Sequence, residues 1–151
     1  KFGVSDVTDL SWTSIMGAYA CTECGRCTSA CPANITGKEL SPRKIMMDTR
    51  ARAEELGNAK DEHGPDYHDG KSLHDLISQE ELLACTTCNA CVEVCPININ
   101  PLEIIFGMRQ YQTLEKSAMP GEWAMMNSNI ENNQAPWQFS PTDRANWSKE
   151  I

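Results

Sequence analysis

Outside two short stretches, this chain has no cysteine. All eight cysteines of its 151 residues fall within positions 21–31 and 85–95, and spacing this regular in a chain this long and acidic argues against a disulfide framework. Long apolar runs are missing too. No segment approaches the roughly 18 consecutive apolar residues that a membrane-spanning helix needs, so the chain itself is not expected to contact a membrane. Basic residues are in short supply: 13 Lys and Arg against 21 Asp and Glu leave a formal charge of −8, which disfavours nucleic acid as a partner. Histidine is scarce, and His63 and His68 lie in a polar stretch where solvated side chains are the expected reading, not metal ligands. No activated nucleophile, acid–base pair or phosphate-binding loop is visible, so no complete catalytic site is expected in these residues.

The cysteines that are present form two matching runs. Cys21-x-x-Cys24-x-x-Cys27-x-x-x-Cys31-Pro32 is followed, 64 residues later, by Cys85-x-x-Cys88-x-x-Cys91-x-x-x-Cys95-Pro96. This is the bacterial-type iron–sulfur spacing, in which three close thiolates hold one cubane and the fourth, before proline, reaches the neighbouring one. The spacing predicts two [4Fe-4S] clusters with crossed ligands. Cys21, Cys24, Cys27 and Cys95 are expected to hold one, and Cys85, Cys88, Cys91 and Cys31 the other. Soft thiolates suit such a metal, and Gly25, Thr28, Thr86, Thr87 and Ala90 are expected to present N–H groups to the sulfurs. Zinc remains an alternative, disfavoured because a C-x-x-C-x-x-C run crowds a single tetrahedron, and a three-iron form of one cluster stays open.

Helical signals flank both runs. Asp9 or Ser11 caps a short helix through Trp12, Ile15, Met16 and Tyr19 that leads into Cys21. Ser41-Pro42 starts a helix over roughly 41–56, with Gly57 as its stop and an exposed loop over Asn58–Lys71 after it. Ser78-x-x-Glu81 is a capping box ahead of Leu82, Leu83 and Cys85. Asn100-Pro101 opens a helix carrying Ile104, Met108, Tyr111 and Leu114. Ser41 through Arg50 aligns with Asn100 through Arg109, so the chain is an internal repeat of helix, cysteine run, proline and helix. The expected fold is all-α: a pseudo-twofold, helical ferredoxin-like domain built around two clusters over 1–119. Residues 120–151 follow as a C-terminal helix, with Trp123, Met126 and Ile130 at helical spacing. Trp137, Phe139 and Trp147 lie in the tail beyond it, which is expected to pack on the core or on a following domain.

With these motifs in place, the chain resembles the helical ferredoxin domain of the iron–sulfur subunits of succinate dehydrogenase, glycolate oxidase and heterodisulfide reductase. The segments Ala20–Cys27, Leu40–Lys44, Ala84–Pro96, Pro136-Trp137 and Asp143–Trp147 are most similar to the central part of membrane-anchored, heterodisulfide-reductase-related iron–sulfur oxidoreductases. The resemblance implies a relay passing single electrons through the two clusters, from a flavoprotein or dehydrogenase donor to an acceptor module of Cys-Cys-Gly type. It also implies a position on the cytoplasmic side of a parent anchored in the cytoplasmic membrane. Because the sequence starts at Lys1 and has neither the membrane helices nor the Cys-Cys-Gly repeats of such parents, it is expected to be an excised piece. Two other functions compete with the relay: part of an oxidoreductase substrate site, or a cluster- or zinc-stapled docking module.

Overall fold

A computed structural model describes residues 1–138 and 140–149, and every regular element among them is helical. The chain divides into two units, residues 1–116 and 117–151. In the first, each cysteine run is preceded by a short serine-capped helix. The Ser11 hydroxyl accepts from the Ser14 N–H at 3.2 Å and starts α1 (Trp12–Ala20). The Ser78–Glu81 capping box starts α5 (Gln79–Ala84). Each run contains a one-turn helix, α2 (Arg26–Ser29) or α6 (Ala90–Glu93), and α3 (Pro32–Ile35) follows the first. A longer helix closes each half. These are α4 (Pro42–His63), capped by Ser41, and α7 (Pro101–Leu114), capped by Asn100; each has proline at its first position, where the missing N–H has no partner to lose.

The packing repeats with the sequence. α1 lies on α4 as α5 lies on α7, α2 on α4 as α6 on α7, while the pairs α2/α6 and α4/α7 meet between the halves. Ile45, Leu73, Ile77, Leu82, Ile104 and Met108 are fully buried there. The first residues of the chain are drawn into this unit by a close approach to α7. The Val4 N–H donates to the Gly107 carbonyl at 2.8 Å, and a Cβ on Gly107 would sit 2.5 Å from Val4 Cγ2. Only glycine admits the strand of chain at that point.

One boundary differs from the sequence reading. α4 does not stop at Gly57 but runs on to His63, so the expected loop begins only at Gly64, whose φ of 101° ends the helix. Gly57 is exposed with nothing near its missing Cβ, and the charged residues after it extend the helix across the modest penalty of about 1 kcal/mol for glycine. The rest of that loop is tied down through a residue the pattern did not single out. Arg52 on α4 is 1% exposed and grips Asp6 at 2.6 Å, Asp69 at 2.5 Å and the Lys71 carbonyl at 3.0 Å.

The second unit contains α8 (Gly121–Asn133), on which Trp123, Met126 and Ile130 are partly exposed, and a 3-10 segment over Pro141–Ser148. The Asn129 amide donates to the Pro136 carbonyl at 3.1 Å and turns the chain back on α8. Trp137 and Trp147 are exposed; Phe139 lies outside the described residues.

Candidate metal centre

Both cysteine runs use one backbone design. α1 ends at Ala20 and α5 at Ala84, each handing over to a cysteine in extended conformation: Cys21 at φ −65°, ψ 116° and Cys85 at φ −70°, ψ 121°. Two residues on, Glu23 and Thr87 both adopt φ 59°, and two further on Gly25 and Asn89 adopt φ 79° and 63°. Alternation of ordinary and left-handed residues curls a loop so that successive N–H groups turn inward, the arrangement that receives negatively charged groups. Glycine and asparagine advertise such a conformation. Glutamate and β-branched threonine do not, so the left-handed turn at these two positions was not anticipated, although Thr87 was expected to offer its N–H.

The eight sulfurs gather into two cavities. Cys21, Cys24 and Cys27 line the first together with Cys95 and Cys91 from the other run; Pro96, Ile99, Pro101, Arg43 and Met46 complete its wall. Cys85, Cys88 and Cys91 line the second together with Cys31, walled by Pro32, Leu40, Pro42, Leu102 and Ile105. Cys91 thus faces both. Cys24 and Cys88 are exposed, whereas Cys31 and Cys91 are buried, and none of the eight is in a disulfide. Among the described residues no three His, Cys, Asp or Glu side chains draw together as tightly as one bare ion requires; the sulfurs instead ring spaces between them.

The chemistry of the donor set fits an iron–sulfur cluster. Burial pushes the Cys91 thiol up to about 11, with the neighbouring Cys85 and Cys27 adding like-charge repulsion while the Val92 and Cys91 N–H groups pull the other way. Burial likewise raises Cys27, against hydrogen bonds from the Thr28 hydroxyl and N–H. Thiolates crowded this closely need a compensating positive charge, which a ferric–ferrous core supplies as it displaces the protons. The Ile99 N–H donates to Cys95 Sγ at 3.4 Å. Of the donors expected from sequence, Thr28 is in place; Ile99 and Val92 were not anticipated, because a bulky apolar side chain hides the value of its own N–H.

Repeat-related arginines brace the cavities from behind. Arg109 donates to the Leu82 carbonyl at 2.8 Å and to the Cys85 carbonyl at 2.5 Å, satisfying the end of α5. Arg50 does the same for the Cys21 carbonyl at 3.4 Å and pairs with Glu23. Alignment of the halves already put these two arginines in register, although not their role. Arg26 reaches the first cavity; Glu93 is exposed and lines neither. His63 and His68 are exposed, away from the cysteines in sequence and fold.

Residues 20–99 match the family model described as a 4Fe-4S dicluster domain. The chain is 34% identical to a probable membrane-anchored ferredoxin of Chromohalobacter salexigens, over 99% of this chain and 24% of that protein. It is 31% identical to an EtfAB:quinone oxidoreductase of Syntrophomonas wolfei, over 99% of this chain and 24% of the other. Against a dihydromethanophenazine:CoB–CoM heterodisulfide reductase component of Methanosarcina mazei, identity is 27%, over 94% of this chain and 35% of that component. The chain therefore spans about a quarter to a third of the length of these relatives. No helix among the described residues is long and apolar enough to cross a membrane.

Proposed function

The chain belongs to the 4Fe-4S dicluster domain family, and on that premise we propose that it relays single electrons between two partner modules of a larger, membrane-linked oxidoreductase. In this reading Cys21, Cys24, Cys27 and Cys95 hold one cluster and Cys85, Cys88, Cys91 and Cys31 the other. The supporting observation is the crossing itself: Cys95 stands among the sulfurs of the first run and Cys31 among those of the second. The clusters supply reversible one-electron chemistry when bound. This chain's residues do the remainder. The two loops present four thiolates to each cavity, and Arg50 and Arg109 fix the first cysteine of each loop through its carbonyl. Thr28, Val92 and Ile99 hydrogen-bond sulfurs and stabilise their negative charge. Ile99, Met46, Leu40 and Ile105 are buried and keep water from the inner walls.

A shared wall keeps the two cavities adjacent, which shortens the step between them. One exposed cysteine at each, Cys24 and Cys88, brings either cavity to the surface for exchange with a separate partner. The names of the relatives suggest a flavoprotein such as an electron-transfer flavoprotein on one side, and a quinone- or heterodisulfide-reducing module on the other. Anaerobically purified protein is expected to contain about eight iron and eight sulfide per chain, and its dithionite-reduced EPR spectrum should show two interacting reduced centres. Cys31→Ala should damage the centre held by Cys85, Cys88 and Cys91. Damage confined to the centre of Cys21, Cys24 and Cys27 would refute the crossed assignment.

A further inference from the structure

The repeat provides an internal control, because the two cavities are built from corresponding positions. Ile99 and Leu40 correspond, as do Pro101 and Pro42, Pro96 and Pro32, and Met46 and Ile105. All of these pairs are apolar. At two positions a basic side chain lines the first cavity and an apolar residue stands in the other half. Arg43, second residue of α4, reaches the first cavity where Leu102, second residue of α7, closes the second. Arg26, first residue of α2, reaches the first cavity where α6 begins with Ala90.

Glu23, the one acid lining the first cavity, is already matched by Arg50. Arg26 and Arg43 have no acidic partner among the described residues, and the second cavity is lined by no charged side chain apart from its cysteines. In a chain with a formal charge of −8, two uncompensated guanidiniums therefore stand at one cavity only.

We propose that Arg26 and Arg43 make the two centres unequal, setting the one held by Cys21, Cys24, Cys27 and Cys95 at the higher reduction potential, so that an electron entering the domain comes to rest there. This rests on the two-cluster relay reading. Reduction adds one electron to a centre that is already negative, and no bond is made or broken. A nearby fixed cation stabilises that added charge and raises the potential. Both guanidiniums are exposed, so solvent and salt weaken the effect without abolishing it. The Ile99 N–H on Cys95 Sγ works in the same direction. Electrons then enter at the second cavity, around Cys88, and leave at the first, around Cys24.

The test is a redox titration of the cluster-loaded chain, followed by EPR, comparing the native protein with Arg43→Leu and Arg26→Ala. Both substitutions place the residue of the opposite half at an exposed site, so folding and iron content should be preserved. The expected result is a fall in the higher potential alone, additive in the double variant, and a gap between the two potentials that narrows as salt is raised. Equal shifts at both centres, or no shift in chains with full iron content, would overturn the asymmetry and leave the relay standing. Native protein without two titrating centres would overturn both. Ala90→Arg is the reciprocal change; it should raise the lower potential, and a lower potential left in place by it counts against the proposal.

Discussion

Arg52 is the most deeply buried charge in the described chain, and its partners come from both sides of the helices in sequence: Asp6 before α1, and Asp69 and the Lys71 carbonyl beyond α4. Hydrogen bonds from Arg52 hold the Asp69 carboxyl well below the usual carboxylate range. Removing one member of such a set strands the others, and Arg52→Leu is expected to lower unfolding stability by roughly 3 kcal/mol, as read by urea titration; a loss under about 1 kcal/mol would deny the bridge any structural role. A second carboxylate near the chain start gives a pH signature. Burial works to raise Asp9, but hydrogen bonds from Lys1, from the Ser5 hydroxyl and N–H and from the Asp6 N–H outweigh it and bring the group from 3.8 to about 2. A depressed folded pKa contributes stability in full above the unfolded value and loses it as pH falls through the folded one. The stability difference between native protein and Asp9→Asn should therefore be constant at pH 5 and above and shrink toward about pH 2, measured by urea unfolding across that range. The Arg52 bridge was not legible beforehand. Arg52 sits 46 positions from Asp6 and 17 from Asp69, and no local pattern links residues so far apart.

Helices and loops were read with more success, for a physical reason. Serine or asparagine followed by proline, and serine three before glutamate, are local hydrogen-bonding signals, and they mark the starts of α4, α5 and α7. The cysteine spacing likewise marked the eight residues whose sulfurs line the two cavities. Helix ends are harder, since glycine tolerates both helical and left-handed backbone. Gly57 continues α4, and the true stop is Gly64 with φ 101°. Gly57→Ala separates the two readings: inside a helix it should add roughly 0.5–1 kcal/mol of thermal stability, whereas at a left-handed stop it would destabilise. The left-handed Glu23 and Thr87 were invisible because the cavities, and not local propensity, determine their conformation.

In the proposed crossed ligation the two halves are held together across a long sequence separation. Cys27 and Cys95 are 68 positions apart, Cys31 and Cys85 54, and the second span is nested within the first. Closing the outer loop leaves only the short segments 27–31 and 85–95 to be ordered for the inner one. By loop-closure entropy the second centre is then easier to form by about 1.2 kcal/mol, roughly eightfold. Native mass spectrometry of chains supplied with half the iron and sulfide needed should find empty and doubly loaded chains outnumbering singly loaded ones; a random distribution would argue against the nesting.

The correspondence of the halves also bears on ancestry. Each cavity takes three of its four matched sulfurs from one half and one from the other, and the left-handed turns, capping prolines and bracing arginines recur in both. Two copies of a single half, paired about a true twofold axis, would meet every ligand requirement of both centres. Such a homodimer must have identical centres and hence no preferred direction. Fusion of the copies into one chain is what allows position 43 to be arginine while position 102 is leucine. Gene duplication, on this geometry, turns a symmetric store of electrons into a conductor with an input and an output.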